Sequence, residues 1–522
     1  MSALHLTRDV GAVLGAAGIA ALMAPVPRIL PTTRRLVGLV LITVGWLVLA
    51  ASLAPSSSVS RLRHHAHTAV GAAEVAVGGI LVIVLVLVLL IIGTWATMRW
   101  PRAWLAALAI SLPVRIPVPI GGAARDLLLP LYIVGACGVL GFVWGRVRGR
   151  FGPDAEPRTA LDIPIAAFIC FTVISMLWTI DTKDAAIQIV FFYLPFPLLM
   201  LAVVAWWPSI RRALPILAGV TIVFATAIAV LALVQYETRW IFWNAKLQQD
   251  DIYSQFFRVN GIFFDPNIMG RYLAIGILAT LAWIWLRPGR RELIVGAAAI
   301  VVMSGGVLVS FSRSSCLMLM VGIVLLAWRG FGPRRTLAVG GIAFVILAGG
   351  AIASSHNIRH ALTSTHRLST VSEGRFSLMS GGIDIWRKEP VGGSGVGSFQ
   401  TRFTQTETAY QISHKKVSIS HNTPITVLAE LGVIGAALFI WLCVAVWRVI
   451  ARLSRQVGGA DAWIEWSLLA IITGIFVHSQ LYADLFEDPM LWTALAAALA
   501  IGLVSRRAHS VADTPVSIDR TD

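Results

Sequence analysis

The chain has 522 residues, 57% of them hydrophobic and only 13% charged, and its formal net charge is +16. So apolar a composition excludes an ordinary soluble protein, because the apolar runs approach the roughly 20 residues that a helix needs to cross a bilayer. The excess of arginine and lysine is typical of the short cytoplasmic loops of a membrane protein, so it does not by itself indicate nucleic-acid binding.

The apolar runs, taken in chain order, predict an all-α polytopic membrane protein. The predicted spans lie near residues 10–27, 36–54, 74–98, 103–120, 125–145, 161–180, 186–207, 213–236, 267–286, 292–310, 313–329, 336–353, 424–447, 463–482 and 489–505. The run at 103–120 contains Pro113, Pro117 and Pro119, so it is the least regular of them and is compatible with a short or re-entrant helix.

Arginine clusters between the spans predict the orientation. They can all be placed in the cytoplasm with an even number of crossings between successive clusters. The loops that then lie outside are Asp181–Asp184, Thr238–Asp265, Ser354–Asn422 and Asp484–Asp488. The first three spans follow the rule less well, because Arg61 and Arg63 would also lie outside.

Three predicted spans begin at this outer face, at Asn267, Arg313 and Pro424. Asp265-Pro266-Asn267 predicts an N-cap followed by a proline in the first helical turn, and Thr423-Pro424 repeats this arrangement. A helix N-terminus carries a partial positive charge and unpaired N–H groups, and it therefore favours anions. Arginines stand near all three starts, namely Arg258, Arg271, Arg313 and Arg375. Because guanidinium groups match phosphate oxygens, the pattern predicts a phosphate or diphosphate site. The alternative is that these arginines extend to lipid headgroups, as interfacial arginines commonly do.

Further polar groups have both a functional and a structural interpretation. His421 could act on a substrate or could cap the helix that follows it. The glycine run 392–397 could form an anion-binding nest, but it lacks the lysine of a phosphate-binding loop and could equally be a turn. The acidic turn of Asp484, Glu487 and Asp488 predicts a solvated connector, with acceptor binding as the less favoured alternative.

These residues resemble the O-antigen ligase and O-antigen polymerase family of bacterial envelope glycosyltransferases, over roughly residues 100 to 505. The motifs that carry the resemblance are Arg258-Val259-Asn260-Gly261, Asp265-Pro266-Asn267, Ser310-Phe311-Ser312-Arg313, Gly374-Arg375, Trp386, Pro390, Gly393-Ser394-Gly395-Val396-Gly397, His421-Asn422 and Ala429-Glu430-Leu431-Gly432-Val433-Ile434-Gly435.

The resemblance implies a GT-C-like helical bundle of about twelve core spans with two or three extra N-terminal spans. It divides the chain into extra spans at 1–100, a first part of the membrane core at 101–353, a large extracytoplasmic loop with short helices at 354–422, C-terminal spans at 423–505 and a polar cytoplasmic tail at 506–522.

The resemblance also implies a reaction at the outer face of the bacterial plasma membrane. A glycan moves from a polyprenyl-diphosphate carrier to an acceptor hydroxyl of a lipid, glycan or protein, without a metal or other cofactor. Arg258 and Arg375 would hold the diphosphate, and His421 would deprotonate or orient the acceptor hydroxyl. The predicted substrate-binding residues around them are Arg313, Asn267, Asn422, Gly395 and Glu430.

Two alternatives to this ligase-like activity remain open. The first is a polymerase that joins repeat units of a surface polysaccharide, which the motifs do not separate from a ligase. The second, from another class, is a transporter of lipid-linked glycan. A transporter favours charged residues inside spans or broken repeats, and here Glu74 and His478 are the main charged or titratable residues within spans.

Overall fold

The computed structural model describes residues 3–23, 31–53, 69–120, 123–148, 159–210, 213–241, 247–248, 257–338, 375–406, 420–456 and 461–512. These residues are almost entirely helical, and the predicted all-α membrane fold is confirmed. The helices are α1 Ala3–Met23, α2 Pro31–Ser52, α3 Ala69–Arg99, α4 Pro101–Ser111, α5 Leu129–Val147, α6 Asp162–Ile174, α7 Thr182–Gln188, α8 Pro195–Ile210, α9 Leu214–Thr238, α10 Pro266–Leu286, α11 Arg290–Val309, α12 Arg313–Phe331, α13 Arg375–Lys388, α14 Phe399–Phe403, α15 Thr423–Gln456, α16 Asp461–His478 and α17 Pro489–Ala512.

Eight helical segments in the described part of the chain are long and apolar enough to cross a membrane. Five shorter apolar helices, of 10–17 residues, accompany them. Most of the predicted spans therefore correspond to helices, although several are shorter than a full crossing. The predicted span at 336–353 lies mostly outside the described residues. Two short helices, α13 and α14, fall within the predicted external loop.

The prediction for residues 103–120 is correct only in its first half. Helix α4 ends at Ser111, and the chain then forms an antiparallel hairpin of β1 Ile116–Ile120 and β2 Ala123–Leu127, with Ile116 opposite Leu127. Proline cannot continue a helix, but it is tolerated where its missing N–H faces away from a partner strand. The prolines therefore terminate the helix.

The first two helices, which lie outside the resemblance, pack tightly within the bundle. A Cβ atom on Gly18 would lie 2.7 Å from the carbonyl oxygen of Gly38, so the two helices cross with almost no side chain between them. Arg8 on α1 is buried, and its guanidinium donates to the Thr182 hydroxyl at 2.8 Å. Helix α1 also packs against α6.

Helix α15 is broken near its start. Gly432 has φ 63° and ψ −162°, which no α-helical residue adopts, so the segment Thr423–Leu431 is a separate short helix before the long one. A break frees backbone groups that lipid cannot satisfy, and protein must therefore cover it. The loop that follows α13 does so.

Candidate functional site

Arg258 lies against the starts of α10 and α12. Its Nε donates to the carbonyl oxygen of Ser310 at 3.3 Å, and its Nη2 donates to Asn267 Oδ1 at 3.4 Å. Ser312 donates from its hydroxyl to the same Asn267 oxygen at 2.8 Å. The motifs of Arg258, Asn267 and Ser312 are thus brought together in one group, which we call the helix-start corner.

The predicted N-cap of α10 is confirmed. The Asp265 carboxylate accepts the Asn267 N–H at 2.6 Å, and Pro266 occupies the first helical turn. Ser312 caps α12 by accepting the Ser315 N–H at 3.3 Å. Both helices thus begin in contact with each other, with their positive ends at the same corner.

His421 lies at the start of the third predicted helix, half-buried, with φ 57°. A left-handed conformation is uncommon for a residue other than glycine and favours a functional or constrained position. The next residue, Asn422, accepts the Ile425 N–H at 3.0 Å and donates to the carbonyl oxygen of Gln480 at 3.1 Å. Asn422, rather than Thr423, therefore caps α15.

Tyr482 lies beside His421. Its ring centroid lies 6.0 Å from that of His421. The phenol is also within electrostatic range of Asp265, which caps α10. Burial and, to a smaller extent, the Asp265 carboxylate raise the pKa of Tyr482 well above its ordinary value, so the hydroxyl keeps its proton. Tyr482 therefore packs beside the His421 ring and interacts electrostatically with the Asp265 carboxylate.

The interpretation of the acidic turn as a solvated connector is wrong for two of its residues. Asp484 and Asp488 are buried and pair with Arg271, at 2.7 Å to Nη1 and 3.0 Å to Nε. Arg271 is itself buried, so it does not extend to lipid headgroups. Burial raises the pKa of Asp484 to about 6, and the attraction of Arg271 opposes this shift. A buried guanidinium needs such partners.

Arg115 is a guanidinium near this cluster that the sequence analysis did not single out. It follows α4, and its guanidinium carbon lies 5.8 Å from the centre of the Phe263 ring. Its Nε is buried and makes no hydrogen bond within the described residues. Burial, reinforced by the nearby Arg271, lowers the pKa of Arg115 from its ordinary value. The sequence signal near Arg115 is the set of prolines at residues 113–119, which indicates a loop in place of a continued helix.

Two further buried polar groups near Phe263 make no side-chain hydrogen bond within the described residues. The first is the side-chain amide of Asn260, at both its oxygen and its nitrogen, and the second is the hydroxyl of Tyr272. Asn260 is fully buried in the turn that ends at Phe263, and the Tyr272 ring lies 5.6 Å from the Phe263 ring. Unsatisfied buried polar groups are rare in native proteins and often mark a place for water or ligand.

The glycine run that follows α13 folds against the break in α15. Ser394 donates its N–H to the Ala429 carbonyl oxygen at 3.1 Å, and Gly395 donates to that of Glu430 at 2.8 Å. In the opposite direction the Val433 N–H reaches the Pro390 carbonyl oxygen at 2.9 Å. These bonds replace the ones that the helix loses at its break.

The Glu430 side chain occupies the nest that the glycine run forms. Its carboxyl group is buried and accepts backbone N–H groups of Phe399, at 3.1 Å, and of Gly397. Gly395 has φ 87°, and a Cβ there would lie 2.5 Å from the Thr179 Cα. The internal carboxyl group of Glu430 therefore takes the N–H donors that were predicted for an external anion.

The remaining predicted residues lie around these elements. Arg313 is the first residue of α12 and is exposed. Arg375 is the first residue of α13, which packs against α15, but its side chain lies outside the described residues. The roles of Arg375, Arg313, Gly395 and Glu430 towards substrate stay predictions.

Comparisons with known proteins agree with this arrangement. Residues 298–440 match the family model for the O-antigen ligase domain, a segment that contains Ser310, Arg313, Arg375, Gly395 and His421. No curated protein matches the chain. The resemblance drawn from the sequence is confirmed for this segment: the chain is a multi-pass helical membrane protein with an O-antigen ligase domain at residues 298–440.

Proposed function

We propose that the protein is a glycosyltransferase that moves a glycan from a polyprenyl-diphosphate carrier to an acceptor hydroxyl at the outer face of the plasma membrane, without a metal ion. The O-antigen ligase domain places the chain among ligase- or polymerase-like membrane enzymes. The contacts of Arg258 with Asn267 and Ser310, at the starts of α10 and α12, are the observation that supports the more specific proposal.

In the proposed reaction the acceptor oxygen attacks the anomeric carbon of the donor sugar. The bond from that carbon to the diphosphate oxygen breaks, and its electron pair leaves with the diphosphate. Arg258 and Arg375 stabilise the negative charge that develops on the diphosphate, assisted by the positive ends of α10 and α12. Arg115, whose Nε lacks an acceptor within the described residues, is a third guanidinium available on the Phe263 side.

His421 takes the proton of the acceptor hydroxyl in this scheme. An imidazole suits the task because it titrates near neutral pH. The hydrogen bonds of Asn422 with Ile425 and Gln480 fix the backbone next to His421. Tyr482 packs against the ring and, with its pKa raised, offers a neutral hydroxyl beside it.

We assign positioning roles to several of the residues predicted to bind substrate. Asn267 orients Arg258 and joins two helix starts, and Asn422 fixes the His421 segment. Gly395 and Glu430 hold the loop on the broken helix that follows His421. Arg313, which is exposed at the start of α12, approaches the diphosphate directly in this scheme.

The experiment is a transfer assay with purified protein, a polyprenyl-diphosphate-linked glycan, candidate acceptors and a chelator. The wild-type protein is expected to transfer the glycan, whereas His421→Ala and Arg258→Gln lose transfer and keep their membrane level. Arg287→Gln is the matched control, because Arg287 is exposed at the opposite end of α10. Transfer that requires metal, or that survives both site variants, would overturn the proposal.

The same assay separates a ligase from a polymerase. The mass of the product shows which acceptor has gained sugar: a lipid core, another repeat unit or a protein. A transporter would move the donor across a vesicle membrane and leave every acceptor mass unchanged.

A further inference from the structure

A cleft between α3 and α5 lies outside the family match and outside the proposed site. It has a volume of about 660 Å³, within the range of about 300–1,000 Å³ that is usual for small-molecule sites. One stripe of α3 and one stripe of α5 line it at helical spacing, including Leu90, Ile91, Leu140 and Val143. Its walls are almost entirely apolar over this length.

Beside the cleft, a glycine on each helix packs against side chains of the other helix. A Cβ on Gly93 would lie 2.4 Å from the Cys137 Sγ, and a Cβ on Gly141 would lie 3.6 Å from the Met98 side chain. The contact at Gly93 leaves no room for a side chain there, so it limits how closely the two helices can approach beside the cleft.

Two arginines stand at one end of the cleft. Arg99 is the last residue of α3, and Arg148 follows the last turn of α5. Both are exposed, and no carboxylate is among the described residues that line the cleft. The Arg148 guanidinium carbon lies 4.8 Å from the Trp144 ring centre, a cation–π contact that holds the charge over the cleft mouth.

The net charge at the mouth of the cleft is positive and favours an anion, although the helix C-termini that meet there carry partial negative charge. Two helix C-termini contribute about −0.5 charge each, whereas Arg99 and Arg148 contribute one full positive charge each. The sum remains positive by about one charge. A ligand that fits the whole feature therefore has apolar chains for the cleft and an acidic group for the arginines.

We propose that this cleft binds an anionic phospholipid of the surrounding bilayer, with its acyl chains between α3 and α5 and its phosphate at Arg99 and Arg148. Basic pockets between membrane helices recognise acidic headgroups in this way. A zwitterionic lipid would fill the apolar part equally well, but it would bring no net negative charge to the arginines. Charge complementarity thus selects the acidic lipid.

The experiment is native mass spectrometry of the full chain with phosphatidylglycerol or phosphatidylcholine of identical acyl chains. The wild-type protein is expected to retain phosphatidylglycerol preferentially. The double variant Arg99→Gln/Arg148→Gln is expected to lose most of that preference, about fivefold for each arginine. The matched control is Arg290→Gln/Arg291→Gln, which removes two exposed arginines from the start of another helix.

A second variant, Leu140→Trp, fills the cleft and is expected to reduce retention of both lipids while leaving the arginines in place. Size-exclusion chromatography checks that each variant is folded, and the single variant Arg148→Gln replaces the double one if it aggregates. Equal retention of the two lipids by the wild-type protein would overturn the proposal. A preference that survives the arginine variants, or that the control removes as strongly, would also overturn it.

Discussion

Two regions of the molecule gather hydrogen-bond donors but use them differently. One is the loop at residues 390–399, which contains the glycine run and which we call the glycine loop, and the other is the helix-start corner around Arg258. In the glycine loop, N–H groups of Gly395, Gly397 and Phe399 meet acceptors of Glu430, a residue of the same chain. In the helix-start corner, the Arg258 guanidinium donates to two neutral oxygens, those of Ser310 and Asn267.

This difference distinguishes hydrogen-bond donors that stabilise the fold from donors that can bind a substrate. A nest that already holds a carboxyl group has little capacity left for an external anion. The Arg258 guanidinium donates to two neutral oxygens, and these two hydrogen bonds do not neutralise its charge. We therefore expect changes in the loop to affect folding and changes in the corner to affect transfer.

The largest expected effect is on transfer by His421→Ala. Loss of a positioned general base typically lowers the rate by about 10²–10⁴-fold. The transfer assay described above measures it, with the membrane level of the protein as the folding control. Tyr482→Phe is the companion variant, because it keeps the ring that packs on His421. A His421→Ala protein that transfers at the wild-type rate would exclude His421 from the chemistry.

Arg271→Met sharpens the comparison, because Arg271 belongs to α10 as Asn267 does but pairs with carboxylates. The change leaves Asp484 and Asp488 buried without their partner and is expected to destabilise the fold by about 3–5 kcal/mol. Thermal unfolding in detergent measures it. Arg313→Met, an exposed arginine near the same corner, is the control and should shift stability by no more than about 0.5 kcal/mol. Equal shifts for the two variants would contradict the account.

Gly395→Ala tests the structural role of the glycine loop. The alanine Cβ would lie 2.5 Å from the Thr179 Cα at a positive φ of 87°, so both strain and collision destabilise the variant, by roughly 2–4 kcal/mol together. Gly332→Ala is the matched control, because Gly332 has φ 79° with open space around it and isolates the strain. Thermal unfolding compares the two, and a Gly395→Ala protein as stable as its control would break the assignment.

The smallest expected effect is that of Arg115→Gln on donor affinity. If Arg115 contacts the diphosphate, loss of a charge-assisted hydrogen bond is expected to raise the donor KM by about tenfold. Arg239→Gln is the control, since Arg239 also lies over aromatic rings, those of Tyr236 and Phe257, but is exposed. An unchanged donor KM, or an equal change in the control, would exclude Arg115 from the binding site.

The sequence predicted the membrane fold and the motifs at the helix starts because hydropathy and N-capping are local properties. The N-cap at Asp265 and the contact between the motifs of Arg258 and Ser312 follow that expectation. The partners of buried charges could not be predicted in the same way. Arg271 and Asp484 are far apart in the chain, and only packing brings them together.

The glycine loop shows a second limit. The spacing of the glycines favoured an anion nest and a turn equally. Glu430, whose carboxyl group fills the nest, lies in a different part of the sequence, in a helix. The break at Gly432, which creates the need for the loop, is also invisible in an apolar run that satisfies every rule for a membrane helix. Arg115 was missed because a lone arginine after a proline-broken segment has no periodic or motif context.

The most direct test of the central claim is photo-crosslinking with a polyprenyl diphosphate that carries a photoreactive group beside its phosphates. Peptide mass spectrometry then identifies the labelled residues in the full-length protein. The account predicts labels in the peptides that contain Arg258 and His421, reduced by excess unlabelled polyprenyl diphosphate. Labels confined to other parts of the chain, such as the cleft at Arg99 and Arg148, would contradict it.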